Sequence, residues 1–434
     1  MAKRILAFLL ALMMLLSLAA CGDEEEEPTT RRNRKDKETE LTEEVSEPTE
    51  PADKNAERMK NYKSPYTEFE EMDDTVIIDD EYVTVTLQKP TSEEWYLEFD
   101  VEVENKTGRS LAVYADYTAV NGKMSQDGLY VTVEPNQEAT DKGTIYNITD
   151  FDAVTRLSMA VQVYDTTEYD LSVMHYIDIY PHGKDAYKPE KAPEELDPLL
   201  EEDGLYAATT DFYIDEMGDY RIAFTVGNYS NQLVRYEHTI AAVNGFGYTT
   251  YMYTYVLPGM FAEESDYLDM EYLTALGIDE ITGLELDCFI EDLNYDPFVE
   301  NTVTVYPEGK SKYEEFRFAF DDDCAVGVEE DDFSMAMTKV TYDDEYGIKI
   351  YFMLKNESGE ALSINGTNLV VNGKKLEYNG LYTNCHRALD TYGVITIYEA
   401  EELGIDEIES VQMDLELYTS DYETVFEDTV TFEF

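Results

Sequence analysis

Three matching sets of turn residues recur along this 434-residue sequence, and this internal repeat limits the fold more than any other feature. In each set, an Asn that begins a polar turn is followed sixteen residues later by an Asn-Gly pair, and then by an apolar-Asp-x-apolar landmark. Equal offsets in three places indicate three copies of one structural unit. The first turns begin at Asn105, Asn228 and Asn356, and the Asn-Gly pairs at Asn121, Asn244 and Asn372. The apolar-Asp-x-apolar segments, which we call the third landmarks, begin at Phe151, Ile278 and Ile405.

The chemistry of these landmarks indicates β-structure. Asn-Gly between apolar runs is the strongest short signal for a two-residue hairpin, because both residues accept a positive φ. The Asn-x-Ser/Thr triplets at the first turns also match a glycosylation acceptor, but we interpret them as turns in which the side chains bond the local backbone. Before each first turn and after each third landmark, apolar residues alternate with polar ones, which is typical of strands with one buried face. The alternating sets are Phe99, Val101 and Val103; Ile222, Phe224 and Val226; Ile350, Phe352 and Leu354; Leu157, Met159, Val161 and Val163; Leu284, Leu286, Cys288 and Ile290; and Val411, Met413, Leu415 and Leu417.

Each copy is about 105 residues long and has about seven short strands, a size and spacing that suit an immunoglobulin-like sandwich. Short helical turns ended by Gly277 and Gly404 precede the second and third landmarks. The whole resembles the tandem immunoglobulin-like domains of Gram-positive surface lipoproteins, without the antibody-type Cys and Trp set, since the single Trp is Trp95. The resemblance implies an all-β chain with three tandem sandwich repeats. The predicted boundaries are a signal at 1–20, a tether at 21–71, repeats at 72–187, 203–313 and 329–434, and linkers at 188–202 and 314–328.

The N-terminus resembles a bacterial lipoprotein signal. Two basic residues precede an almost wholly apolar run, residues 5–18, whose helix would span roughly 21 Å and fall short of the ~30 Å hydrocarbon core. Residues 18–21, Leu-Ala-Ala-Cys, then match the lipobox. This resemblance implies cleavage before Cys21 and a diacylglycerol on its thiol. The lipid would hold the protein on the extracytoplasmic face of the cell membrane.

The tether is rich in Glu, Pro, Thr, Arg and Lys and has little apolar surface to bury, which predicts disorder. Within it lies a membrane-proximal basic cluster, for which two interpretations stay open: contact with anionic headgroups or wall polymer, at ~1 kcal/mol for each base, or plain solvation. The cluster consists of Arg31, Arg32, Arg34, Lys35 and Lys37.

The net charge of -64, from 31 basic and 95 acidic residues, argues against nucleic acid as a partner and against an anionic lipid surface for the folded part. We interpret the acidic charge as plain solvation, with a specific cationic ligand or Ca²⁺ as the alternative. No stretch has the ligand spacing of a calcium loop, and we predict no metal site and no cofactor. Cys288 alternates with apolar neighbours and is predicted to be a buried structural thiol.

No catalytic residue is predicted. The four histidines are scattered, no catalytic motif is present, and the adjacent Cys385 and His386 would point to opposite faces of a strand. Binding has a better candidate in Tyr251, Tyr253 and Tyr255, which alternate along one predicted strand and would present amphipathic rings on one face. The alternative is that these rings pack under a loop or cover the sheet.

The sequence therefore predicts a non-enzymatic surface lipoprotein whose β-domains bind or space something outside the membrane. The partners that its chemistry fits are a wall glycan or a surface protein. The alternative is a wall or glycan hydrolase that uses paired carboxylates.

Overall fold

The computed structural model describes residues 58–433, except 126–127, 169–170, 322–323, 344–346, 378–379 and 384–386. The described residues belong to one compact unit, and their regular secondary structure is almost entirely strand, which confirms the all-β prediction. The predicted signal, Cys21 and the basic cluster (Arg31, Arg32, Arg34, Lys35 and Lys37) lie outside the described residues, as do Cys385 and His386. Within the described part, no helix is both long enough and apolar enough to cross a membrane.

Twenty-eight strands and two short α-helices follow one another along the described residues. The first stretch holds β1 (Thr67–Phe69), β2 (Thr75–Asp79), β3 (Val83–Leu87), β4 (Thr91–Ser92), β5 (Tyr96–Asn105), β6 (Leu111–Val120), β7 (Lys123–Ser125), β8 (Gly128–Val133), β9 (Glu138–Tyr146), β10 (Leu157–Asp165) and β11 (Ser172–Ile179). The second holds β12 (Pro198–Glu202), β13 (Leu205–Ile214), β14 (Tyr220–Asn228), β15 (Val234–Val243), β16 (Phe246–Val256), β17 (Met260–Leu268), α1 (Met270–Ala275), β18 (Leu284–Glu291) and β19 (Pro297–Val305). The third holds β20 (Ala325–Glu329), β21 (Phe333–Asp343), β22 (Gly347–Asn356), β23 (Leu362–Val371), β24 (Lys374–Lys375), β25 (Leu381–Thr383), β26 (Thr391–Ile397), α2 (Ala400–Leu403), β27 (Ser410–Thr419) and β28 (Thr424–Glu433).

In each stretch the strands pair in two antiparallel layers. The layers are β2-β3-β5-β9 with β8-β6-β10-β11 in the first stretch, β12-β13-β14-β17 with β16-β15-β18-β19 in the second, and β20-β21-β22-β26 with β23-β27-β28 in the third. Single parallel bridges, Phe261 with Lys123 and Gly247 with Thr391, join one stretch to the next. The sheets therefore continue across the stretches.

Three hydrophobic cores lie between the layers, one in each stretch. Every apolar residue of the alternating sets named from the sequence is buried, which confirms those strands and their inward faces. The second core also takes in Ala119 and Ala160 from the first stretch and Tyr351 and Met353 from the third. The junctions between stretches therefore include apolar contacts that exclude water.

The Asn-Gly pairs form the predicted hairpin turns. Both residues have positive φ at all three places, for example 51° at Asn244 and 77° at Gly245. The Asn side chain has a second role that the hairpin signal does not predict. The Asn244 amide donates to the Glu280 carbonyl, and its oxygen accepts from the Thr282 and Gly283 amides, so that it holds the third landmark beside the turn.

Asn121 and Asn372 make the equivalent bonds in the other two stretches. The first-turn residues Asn105, Asn228 and Asn356 are buried, and each donates its side-chain amide to backbone carbonyls across its turn. These bonds favour the turn interpretation of the triplets over the acceptor one. The predicted helical turns are α1, followed by Gly277 at φ 94°, and α2, followed by Gly404 at φ 60°.

Some strands lie in segments that the sequence assigned to the tether or the linkers. β1 lies within the predicted tether, and β12 and β20 lie largely within the predicted linkers. Arg58, also in the predicted tether, is 7% exposed, binds Glu195 and Glu201 and stacks on the Tyr206 ring at 3.6 Å. Short strands and polar anchors carry too little apolar signal to be seen in the sequence.

Candidate ligand-binding surface

The three predicted tyrosines lie together on the outward face of β16. Tyr251 and Tyr253 are half exposed and Tyr255 is partly buried, whereas Thr254 on the opposite face is buried. The ring centroids of Tyr251 and Tyr253, and those of Tyr253 and Tyr255, are each 5.9 Å apart. We call these residues the tyrosine row. The period-two prediction of their common face is confirmed.

Arg235 of β15 supports the tyrosine row from the neighbouring strand. It lies opposite Tyr255 in the β15–β16 register, and its guanidinium carbon is 4.7 Å from the centroid of the Tyr253 ring. The guanidinium donates to Tyr251 Oη and forms ion pairs with Glu237 and Glu291. Because these donors are fixed by carboxylates, the rings are held in a defined orientation.

The electrostatics of this support are set by burial. Arg235 is only 5% exposed; burial opposes its charge, but the hydrogen bond to Glu291 and the charge of Glu237 outweigh it and raise the pKa of the guanidinium. Burial, and then the charge of Glu237, raises the pKa of Tyr251 to about 12. Arg235 is therefore charged and fully engaged with carboxylates, and Tyr251 is a neutral phenol at physiological pH.

A groove runs from the tyrosine row to the first stretch, and we call it the seam groove. It has a cavity volume of about 330 Å³, and the Tyr117 and Tyr255 ring centroids are 4.6 Å apart across the seam. The side chains that line it are Asp116, Tyr117, Met124, Ser125, Met252, Tyr253, Thr254, Tyr255, Glu263 and Glu264. Its walls are thus aromatic and apolar, with a few hydroxyl and carboxyl groups.

The carboxyl groups give the seam groove a negative or neutral character. Glu263 pairs with Lys123 at 2.7 Å, and Glu264 accepts a 3.0 Å hydrogen bond from Thr254. Desolvation raises the pKa of both Asp116 and Glu264. Among the described residues, no Lys, Arg or His forms an ion pair with Asp116. The groove therefore offers no free cation to an anionic ligand.

The remaining sequence candidates do not assemble a catalytic site within the described residues. His238 is fully buried between Asp266, at 3.2 Å, and Tyr236, which in turn donates to Cys288. Cys288 is fully buried as predicted, and burial raises the pKa of its thiol to about 12. No substrate can reach this network. No group of three or more His, Cys, Asp or Glu side chains with metal-binding geometry occurs in the part of the chain that the structure describes.

Sequence reasoning found the tyrosine row but missed Arg235, Tyr117 and Asp116. The Asn244-Gly245 hairpin signal could have suggested β15 as the neighbouring strand. A regular two-residue hairpin, however, would place Arg235 opposite Thr254, on the inward face. A β-bulge in β16, where two residues of β15 face three of β16, shifts the register by one and brings Arg235 opposite Tyr255.

Comparisons with known proteins identify no family for this chain. No protein-family model matches the chain, and no curated protein is similar to it in sequence. Among solved structures, the exo-chitosanase of Amycolatopsis orientalis is 7% identical over 81% of this chain and 79% of its own, with a TM-score of 0.18. Red sea bream transglutaminase is 12% identical over 52% of this chain, with a TM-score of 0.16, and the match spans only 31% of the transglutaminase. At these TM-scores neither likeness carries an argument about fold or function.

Proposed function

We propose that this protein is a lipid-anchored surface protein with three tandem immunoglobulin-like sandwich repeats, and that it binds an uncharged glycan of the cell wall along the tyrosine row. The anchor is supported by the signal and lipobox at residues 1–21. The repeats are supported by the three cores and by the equivalent bonds of Asn121, Asn244 and Asn372.

The observation that carries the binding proposal is that the tyrosine row is exposed and held rigidly. Tyrosine rings are flat and apolar with a polar edge, so they stack on the apolar face of a sugar while hydrogen-bonding its hydroxyl groups. Tyr253 is 51% exposed and fixed from behind by Arg235, so little side-chain entropy is lost when a ligand binds. A row of such rings fits a chain of sugars better than a single small molecule.

The charge of this surface favours neutral glycans over anionic ones. Lys123 and Arg235, the bases of this surface, are both engaged with carboxylates, and the chain as a whole is strongly acidic. Anionic polymers would meet uncompensated repulsion. The ligand is therefore a neutral polysaccharide segment, and binding should be insensitive to salt.

The test is the affinity of the full-length protein in detergent for uncharged hexasaccharides of glucose and of N-acetylglucosamine, with polygalacturonate as the anionic probe. Tyr253→Ala should weaken binding of the uncharged hexamers about five- to tenfold, since one stacked ring contributes ~1 kcal/mol. Tyr398→Ala is the matched control, because Tyr398 is 71% exposed and lies outside this surface. Equal affinity of both variants, or preferential binding of polygalacturonate, would contradict the proposal. If the tyrosine row binds a surface protein and no glycan, the ligand is a protein and the glycan proposal is wrong.

A glycan hydrolase is the second candidate, for one reason. Asp116 and Glu264 line the same groove, and desolvation raises the pKa of both, as a general acid requires. If the protein cleaves glycans there, the wild type should release reducing ends, and Asp116→Asn and Glu264→Gln should each abolish this release. Under the binding proposal, no reducing ends form and both variants still bind.

A further inference from the structure

A second aromatic groove lies on the first stretch and is not part of the surface that the sequence indicated. It has a cavity volume of about 450 Å³. Three side chains lie abreast across its floor, since Tyr114 of β6 is opposite both Tyr130 of β8 and Gln162 of β10. Tyr164 stands edge-on to Tyr114, with ring centroids 5.4 Å apart. We call this the β6 groove.

The polar groups of the β6 groove are held in fixed positions. Tyr114 Oη donates to the Gln162 side-chain oxygen, and the Gln162 amide donates to Ser172 Oγ. Tyr130 is 53% exposed beside them. An exposed ring next to an oriented amide and hydroxyl repeats the chemistry of the tyrosine row, and suits stacking on a sugar together with hydrogen bonds to its hydroxyl groups.

The two grooves meet at Asp116, which lines both of them. The reason is a β-bulge in β6, where Tyr114 and Tyr117 lie opposite Gln162 and Ala160 of β10, so that three steps on one strand match two on the other. A regular strand would point Tyr114 and Tyr117 to opposite faces, but the bulge turns both outward. Tyr114 therefore enters the β6 groove and Tyr117 enters the seam groove.

We propose that the β6 groove and the seam groove form one continuous binding site, which takes an extended neutral glycan chain lying across both the first and the second stretch. This inference rests on the proposed glycan binding and adds a second subsite to it. The seam is closed by ring contact, main-chain pairing of Phe261 with Lys123, and the Lys123–Glu263 ion pair. The two grooves therefore keep a fixed spacing, as a single extended ligand requires.

Charge at the shared point supports a neutral chain. Asp116 lies where the ligand would cross from one groove to the other, and no described base neutralises it by an ion pair. Partial desolvation raises the pKa of this carboxyl, although its side chain stays exposed. A carboxylated polymer would be repelled at this point, whereas the hydroxyl groups of a neutral one can donate to the carboxylate.

The test measures affinity as a function of chain length, using glucose and N-acetylglucosamine oligomers of two and of six units with the full-length protein. The wild type should bind the hexamer at least tenfold more tightly than the dimer. Tyr130→Ala should remove most of that advantage, weakening hexamer binding about fivefold while leaving the dimer, which the tyrosine row holds, unchanged. Tyr253→Ala should weaken both. Tyr146→Ala is the matched control, because Tyr146 is 48% exposed but lines neither groove.

The outcomes separate this inference from the proposed function. If hexamer and dimer bind equally and Tyr130→Ala has no effect while Tyr253→Ala still weakens binding, the continuous site is refuted and glycan binding stands. If Tyr130→Ala weakens dimer and hexamer alike, the β6 groove is an independent site and the inference also fails. If neither oligomer binds at all, the proposed function itself is wrong. Unchanged thermal unfolding of Tyr130→Ala guards against a folding defect.

Discussion

Replacing Asn244 by Ala should strongly destabilise the second stretch. The side chain is 5% exposed, donates to the Glu280 carbonyl at 2.7 Å, and accepts from the Thr282 and Gly283 amides at 2.7 and 2.9 Å. Each such bond contributes ~1 kcal/mol net, and its loss leaves a buried backbone group without its partner. Alanine at φ 51° adds ~1 kcal/mol of backbone strain.

The expected loss is therefore ~3–5 kcal/mol, a large part of the ~5–15 kcal/mol that stabilises a typical fold. Asn244→Gly separates the two causes, because glycine accepts the positive φ and lacks only the side-chain bonds. It should be ~1 kcal/mol more stable than Asn244→Ala. Asn231→Ala, at an exposed position of a neighbouring turn, should change stability by less than ~0.5 kcal/mol.

Urea unfolding followed by circular dichroism measures the loss, and hydrogen exchange of residues 278–284 shows where it occurs. Local opening that becomes easier by ~3 kcal/mol accelerates exchange at the Thr282 and Gly283 amides more than a hundredfold. If Asn244→Ala and Asn231→Ala unfold at the same urea concentration, the side-chain clamp does not stabilise the fold. If Asn244→Gly is no better than Asn244→Ala, the strain argument fails.

Three further predictions concern the anchor, the buried thiol and the charge. Cys21→Ala should release the protein from the membrane or leave its signal uncleaved, and detergent partitioning that shows normal processing and retention would contradict the lipobox interpretation. Because burial raises the pKa of Cys288 from 9.0 to about 12, the protonated thiol stabilises the fold fully below pH 9 and progressively less as the pH rises to about 12. Comparing urea unfolding of the wild type and Cys288→Ala at pH 7 and pH 10.5 should therefore show a smaller loss of stability with pH in the variant; identical losses would exclude this linkage. The protein without its signal and lipid should not bind anionic vesicles tightly even at low salt, since removing Lys3 and Arg4 takes the net charge from -64 to -66, and tight binding in flotation assays without divalent cations would reveal a docking face that this charge argument misses.

The sequence by itself determined the local features of this protein. Alternation at period two depends only on neighbouring residues, so the strands around Phe224 and Leu286 and their buried faces were predictable, as was the common face of Tyr251, Tyr253 and Tyr255. The Asn-Gly hairpins were equally local, because a positive φ at Asn244 and Gly245 is a property of those two residues.

Only the tertiary structure decided which faces meet. Bulges in β6 and β16 shift the strand register by one residue, and such a slip changes every side-chain neighbour while it leaves almost no signal in the sequence. The bulge in β16 brings Arg235 beside the tyrosine row, and the bulge in β6 turns Tyr117 outward, where packing of the first stretch on the second core brings it to Tyr255. The groove is a product of register and of packing between stretches, both of which depend on residues far apart in the chain.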